Sequence, residues 1–219
     1  MRLPSVDPIV DFRSIGVSLG GHPVLRGVNL TLAPGEVLGV SGPNGSGKTT
    51  LIRTIATLTS IDSGSGTVLG TDLTSTSLVP TRRRIGMIGH HPALIPELTL
   101  TENLTHAARL AGIEVARVAN ALGVVGLEGA SDRRADACSF GMRRRVEIAH
   151  LLLTRPTLLL LDEAASGLDS SARDLISAVV DSTRSRGGGT VVVSHDESQL
   201  RGITQNVMSL SGGRLEPSR

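Results

Sequence analysis

The sequence predicts an α/β fold with a helical lobe set into its middle. Three observations carry that expectation. The first and last thirds alternate strand-like apolar runs with segments of helical period. Between them, residues 90–156 read mainly as helices. A glycine-rich loop over residues 42–47 leaves an apolar strand and opens a helix.

In chain order, residues 10–17, 24–32 and 37–41 read as strands, punctuated by Gly20-Gly21 and Pro34-Gly35. Leu51, Ile52, Ile55 and Leu58 fall on one face of a helix over residues 48–58. Residues 63–66 read as a turn, 67–69 as a short strand and 85–88 as another. A helix is expected over 101–110, with Thr101 as its cap and Glu102 in its first turn. Further helices are expected over 115–122 and 140–153, and Pro156 ends the latter because the residue before a proline resists helical geometry. Arg143, Arg144 and Arg145 on that helix read as a solvated face. Residues 157–161 read as a strand covered on both sides, apolar without interruption from Leu158 on. Residues 175–185 are helical, Gly187, Gly188 and Gly189 break the pattern, and 190–193 and 206–210 read as strands. The polar tail after Gly212 is expected to fray.

The chain has 219 residues, enough for one domain with an inserted lobe. Its hydrophobic content of 39% supports a sizeable core, and a net charge of +2 argues against a nucleic-acid partner. Cys138 is the one cysteine, which excludes an internal disulfide. There is no signal-peptide pattern and no apolar run of about 20 residues. The chain is therefore expected to be soluble, with any membrane role resting on a partner. Among 22 Lys and Arg residues, Lys48 is the single lysine. A lysine ends in a compact ammonium and an arginine in a wide planar fork, so one position has refused the fork.

Lys48 lies in Gly42-Pro-Asn-Gly-Ser-Gly-Lys-Thr49, which has the G-x-x-x-x-G-K-[ST] spacing of the Walker A motif. A chance match in a chain of this length has a probability of about one per cent. Glycines let the backbone curl so that its N–H groups point onto phosphate oxygens, and the helix that follows aims its positive dipole end at the same anion. Lys48 would reach the β- and γ-phosphates, and the Thr49 hydroxyl would ligate Mg²⁺. The candidate phosphate cradle is Ser41, Gly42, Pro43, Asn44, Gly45, Ser46, Gly47, Lys48, Thr49 and Thr50. The apolar run 158–161 ends in Asp162 and Glu163, carboxylates at the carboxyl edge of a parallel sheet. Asp162 would hold Mg²⁺, and Glu163 would polarise an attacking water.

Three further stretches resemble the ATP-binding cassette family of transporters. Cys138-Ser-Phe-Gly-Met142, followed by Arg-Arg-Arg-Val-Glu-Ile-Ala149, occupies the place of the family signature. Ala165-Ser-Gly-Leu-Asp169 looks like the D-loop, and Val193-Ser-His-Asp196 looks like the switch histidine. The resemblance covers nearly the whole chain. It implies a P-loop NTPase core over about residues 1–89 and 157–219, with an N-terminal antiparallel β subdomain and a helical subdomain over about 90–156. It also implies an ATP hydrolase using Mg²⁺, working as a homodimer or heterodimer of nucleotide-binding domains. Such a dimer lies at the cytoplasmic face of the membrane against a transmembrane permease. By the same resemblance, Ser139 and Gly141 meet the γ-phosphate of the opposite subunit, His195 contacts the γ-phosphate and the attacking water, and Asp169 communicates across the dimer. A helix start at Ser139 agrees with that role, since Ser is a good cap and free N–H groups there suit an anion.

The chain departs from the family at several positions. Cys138, Phe140 and Met142 stand where the signature usually has leucine, glycine and glutamine. Phe140 cannot take the positive-φ geometry of a glycine without strain, and Met142 has no side-chain amide. His90 stands where the family has a metal-ligating glutamine; a neutral imidazole can accept from a metal-bound water but adds pH sensitivity. Leu19 falls where relatives stack adenine on an aromatic ring, so base packing is expected to be aliphatic and less selective. The run Gly89-His-His-Pro92 and residues 98–104 look like the haem-exporter subgroup of cytochrome c maturation, whereas Ser139-Phe-Gly-Met-Arg143 is similar to exporters of drugs or small molecules. Translation factors of the family carry two cassettes and repair factors a long coiled-coil insert; this chain has one Walker A motif and no heptad run. A cassette that binds ATP without hydrolysing it is the remaining alternative.

Overall fold

The structure is a computed structural model that describes residues 7–164, 168–204 and 206–218. Two sheets form its frame. β1 (Val10–Leu19) and β2 (His22–Leu32) pair antiparallel. β3 (Val37–Ser41) runs into α1 (Lys48–Ile55), followed by β4 (Ser63–Val68), β5 (Thr71–Asp72), the short α2 (Val79–Arg82) and β6 (Ile85–Ile88). Three helices come next: α3 (Leu100–Ala111), α4 (Arg117–Val124) and α5 (Phe140–Thr154). The chain closes with β7 (Leu158–Asp162), α6 (Ser170–Ser185), β8 (Gly189–Ser194), α7 (Glu197–Arg201), β9 (Asn206–Ser211) and β10 (Arg214–Pro217). One sheet has the order β2-β1-β4-β5 and the other β10-β9-β3-β8-β7-β6. In the second sheet β9, β3, β8, β7 and β6 are parallel and β10 is an antiparallel edge.

β7 shows why an uninterrupted apolar run suits its place. Leu158 and Leu160 enter the core under the antiparallel sheet and α1, while Leu159 and Leu161 enter the core shared with α3, α5 and α6. Successive strand residues point to opposite faces, and here both faces are covered. All four leucines are at most 1% exposed, and each contributes about 1.5–3 kcal/mol by leaving water. The strand ends at Asp162, itself only 4% exposed.

Several local expectations are corrected. The cap of α3 is Thr99, not Thr101. Thr99 Oγ1 accepts from the Glu102 amide at 3.1 Å, and the Glu102 carboxylate accepts from the Thr99 amide at 2.8 Å, a reciprocal capping box. Thr101 lies inside the first turn and donates to the Ser131 carbonyl. Residues 63–66 form part of β4, not a turn. Gly64 is there for close approach: at φ +86°, any Cβ would run into the carbonyls of Arg13 and Ser14 on the neighbouring strand. α6 starts at Ser170 rather than at residue 175, because Asp169 caps it by accepting from the Ala172 amide at 2.7 Å. Residues 214–217 of the tail form a strand rather than fraying. Gly212 and Gly213 both have positive φ, which makes the tight turn that folds β10 back onto β9.

Candidate functional site

The first part of the site is the junction of β3 and α1. All five residues of β3 are buried, so the strand delivers the loop at a fixed point. Gly42 passes so near β9 that a Cβ would collide with the Leu210 carbonyl. Gly45 (φ +79°) and Gly47 (φ +104°) take left-handed geometry open to glycine, and Gly47 hands the chain to α1. Lys48 is 8% exposed as a residue, and its ammonium donates to the Gly42 carbonyl at 2.7 Å and the Pro43 carbonyl at 3.0 Å. The Ser46 hydroxyl is buried without a hydrogen-bond partner. An orphaned buried donor beside an ammonium and a helix N-terminus fits an oxyanion.

The second part comes from β7 and β8. Their parallel register sets Asp162 beside Val193, so the next residues, Glu163 and Ser194-His195, leave the sheet together. Glu163 Oε1 accepts from the His195 amide at 2.8 Å and lies 2.8 Å from His195 Nδ1, while Ser194 donates to Oε2 at 3.3 Å. Glu163 has φ +53°, an uncommon conformation for a residue with a side chain, and its amide donates to the Val193 carbonyl at 3.0 Å. Such strain concentrates at working sites because the surroundings over-determine it. Asp162 accepts from the Thr49 hydroxyl at 3.0 Å. Burial pushes the Asp162 carboxyl above its ordinary value, with the Thr49 hydrogen bond opposing and the Glu163 charge adding to the rise.

These parts face one cleft of about 490 Å³. Asn44, Gly45, Gly47, Lys48, Thr49, Thr50, His90, Asp162, Glu163 and His195 line it, together with Val24. The Thr49 hydroxyl and the Asp162 carboxylate are a hard-oxygen pair suited to Mg²⁺, which is held by few protein ligands and completes its shell with phosphates and water. Among the described residues, no group of three His, Cys, Asp or Glu side chains is placed to cage a metal ion. Leu19 is not among the lining residues; it ends β1 at 49% exposure, and Val24 of β2 supplies the aliphatic wall instead.

The signature residues lie outside this cleft. Ser139 caps α5, accepting from the Met142 amide at 3.2 Å. Phe140 is the first helical residue of α5, and it is not among the positive-φ residues, so its side chain brings no backbone strain. A Cβ on Gly141 would meet nothing nearer than Ser139 Oγ at 4.0 Å, which leaves its backbone open. Asp169 caps α6 and pairs with Arg145 at 3.0 Å. The hydrogen bonds it accepts from the Ala172 amide and from Arg145 hold its carboxyl below the usual range. Ala165, Ser166 and Gly167 of the D-loop stretch lie outside the described residues.

The expectation of a solvated arginine face is overturned. Arg144 is 1% exposed and pairs with Glu147 at 2.7 Å. Arg145 donates to the Val125 carbonyl and to Asp169, both at 3.0 Å. Helix α5 is walled on several sides, by α3, α4 and the segment after β6, so Arg144 and Arg145 turn inward to carbonyls and carboxylates. Sequence reasoning missed Glu147 and Val24. The i,i+3 spacing of Arg144 and Glu147 on a helix is the signal that could have found the first.

Comparison with known proteins places this geometry. A family model described as "ABC transporter" matches residues 25–166. The methionine import ATP-binding protein MetN of Brucella abortus (strain 2308) is 35% identical over 216 residues, covering 95% of this chain and 58% of that protein. The chain thus spans little more than half the length of that relative. The cytochrome c biogenesis ATP-binding export protein CcmA of Nitrosomonas europaea is 35% identical over 210 residues, covering 95% of this chain and 98% of that protein. Among solved structures, an ATP-binding subunit of an ABC transporter superposes with a TM-score of 0.87 at 26% identity, covering 94% of this chain and 88% of the other. A dimeric ATP-binding cassette in a post-hydrolysis state, bound to ADP and Pi, superposes with a TM-score of 0.84 at 26% identity, covering 96% and 99%. With a family match over most of its length, relatives at this identity and the P-loop NTPase fold of its structural neighbours, the chain belongs to the ABC transporter family as an ATP-binding domain.

Proposed function

We propose that this chain binds Mg·ATP in the β3–α1 cleft, hydrolyses it as one of two facing cassettes, and so powers a separate membrane-spanning permease. The observation that carries the reading is the meeting of Lys48, Thr49, Asp162, Glu163 and His195 in one cleft although they come from distant parts of the chain. Lys48 exchanges its loop carbonyls for the β- and γ-phosphates. Thr49 and Asp162 would hold Mg²⁺, which would neutralise phosphate charge, and His90 would face the same ion as an acceptor. Glu163 orients the attacking water and takes its proton, and His195 contacts the γ-phosphate. Ser139 and Gly141 present the α5 N-terminus to the nucleotide of the facing cassette, with Asp169 at the same seam.

No helix among the described residues is long and apolar enough to cross a membrane. In this reading the permease is a separate partner, with the cassette docked peripherally on its cytoplasmic face. A groove of about 580 Å³ opens beside the segment after β6, floored by Met87, Leu94, Leu104, Ile113 and Leu153. Leu110, 65% exposed, stands at its side. This surface is a suitable seat for the permease. The names of the relatives span import and export. Export linked to cytochrome c biogenesis is the finer reading, supported by the match along 98% of CcmA and by the Gly89-His-His-Pro92 run. Export of a drug or other small molecule is the second, supported by Ser139-Phe-Gly-Met-Arg143.

The test is Glu163→Gln. That variant is expected to accumulate as an ATP-bound dimer in gel filtration, with phosphate release slowed about 10²-fold or more. A variant that stays monomeric with ATP and turns over like wild type sinks the sandwich mechanism. A wild-type chain that binds ATP without turnover is a binding-only cassette.

A further inference from the structure

Helix α5 carries one buried ion pair, and that pair holds both ends of a short segment leading out of β6. Arg144 and Glu147 have side chains 1% and 9% exposed and meet at 2.7 Å. The second oxygen of Glu147 accepts from the Ala93 amide at 2.9 Å. The second terminal nitrogen of Arg144 donates to the His90 carbonyl at 3.1 Å. Beneath the same guanidinium lies the Phe140 ring, 5.2 Å from centroid to Cζ, within the range of a cation–π contact. His90 lines the cleft that holds Lys48 and Asp162. Phe140 adjoins the Ser139 cap at the exposed start of α5.

Stability alone does not account for this arrangement. Removing two charges from water costs several kcal/mol per ion, and an apolar pair of similar volume often serves folding as well or better. Arg144 Nε is also buried without a partner, a further cost. What the fork offers instead is geometry. A guanidinium is planar and its donors are fixed relative to one another. It is joined to Glu147, to the His90 carbonyl and to the Phe140 face together, and so links α5 to residues 90–93.

We infer that Arg144 is a positioning residue that ties His90 in the nucleotide cleft to Phe140 in the signature turn, with Glu147 fixing the far end of the same segment at Ala93. Resting on the function proposed above, this makes the phenylalanine at a usual glycine position a functional contact. When a facing nucleotide draws in the N-terminus of α5, the displacement reaches His90 through one side chain.

Two variants test it in the full chain. Arg144→Lys keeps a positive charge and loses the fork. Arg144→Met combined with Glu147→Leu removes both charges and fills the space. Both are expected to bind ATP with an affinity within about threefold of wild type, because Lys48 and its loop are untouched, and to lose about tenfold or more in kcat. Independently of hydrolysis, amide exchange over residues 90–95 is expected to speed up in both variants in the absence of nucleotide. A kcat within about twofold of wild type in either folded variant, or unchanged exchange over 90–95, overturns the inference. If the double variant does not fold, Arg144→Lys decides alone. If wild type itself fails to hydrolyse ATP, the proposed function falls, while the exchange measurement still judges the tie between α5 and residues 90–93.

Discussion

Glu163 and His195 are joined twice, at 2.8 Å through the histidine amide and at 2.8 Å through ring Nδ1, both on the same carboxylate oxygen. The main-chain contact fixes the carboxylate at the edge of the cleft, and the ring contact can swing away without disturbing it. Glu163 therefore stays in place while His195, exposed on its outer side, is the part free to turn toward a phosphate. His195→Ala should slow phosphate release by about 10²-fold or more while ATP affinity stays within about threefold. Phosphate release and nucleotide titration measure the two. A variant that loses binding and keeps its turnover number would contradict this division of labour.

Asp162 is a buried carboxylate, 4% exposed at the end of β7. Its folded pKa is raised above the ordinary 3.8, chiefly by burial, so the folded chain holds that proton more tightly than the unfolded one. The ionised carboxylate thus costs stability at neutral pH, and the cost disappears as pH falls through the raised value toward 3.8. Asp162→Asn is expected to raise the Tm of the nucleotide-free chain at pH 7.5, by a margin that shrinks at pH 5, and to abolish Mg²⁺-dependent hydrolysis. Thermal melts at the two pH values with an activity assay check both parts. A lower Tm at pH 7.5 refutes the assignment.

His150, on the wall of the apolar groove, has its pKa lowered from 6.5 by burial. The unfolded chain then takes up this proton more readily, so the contribution of His150 to stability falls as pH drops through 6.5 toward the lowered value. Glu147, raised mainly by burial, works in the opposite direction at lower pH. Comparing wild type with His150→Gln isolates the histidine: the wild-type Tm should fall relative to the variant between pH 7.5 and 5.5. A constant difference in Tm across that range rules the effect out.

Base recognition is expected to be weak. The chain has no Trp or Tyr and only two Phe. Phe12 is 1% exposed in the core, and Phe140 opens α5 outside the cleft. Val24 is the aliphatic side chain on the wall. Aliphatic walls reject a wrong polar group only modestly, so ATP and GTP should bind within about tenfold of each other in competition against a fluorescent nucleotide. A preference of about a hundredfold or more would show that another group reads the base.

What could be read from the chain alone was whatever is local. The glycines before Lys48, the leucines that end in Asp162 and the residues flanking His195 each announce themselves within a few positions, because backbone curvature and two-sided burial are short-range demands. The misreadings share a different cause. Residues 63–66 look like a turn until a neighbouring strand leaves no room for a Cβ at Gly64. The tail looks loose until Gly212 and Gly213 fold it onto β9. Arg144 looks like surface until the segment after β6 covers it. In each, a partner distant in sequence overrides the local composition. The Asp162–Thr49 contact and the Glu163–His195 contact depend in the same way on strand order, which fixes which loop ends meet.

Lys48 holds the only ε-amine of the chain, and two loop carbonyls keep it inside the fold. Apart from the α-amino group, amine chemistry therefore has one address in this protein. A surface acylating reagent finds no other lysine to decorate, and any ε-acylation it achieves falls on the phosphate cradle. Occupancy of the cleft can be read as protection of a single side chain from labelling, with no other ε-amine to subtract. The same economy denies the folded chain an exposed lysine for ubiquitin-like tags or for coupling to an amine-reactive surface. Beyond the α-amino group, reagents of that kind would report on unfolding or on access to the cradle.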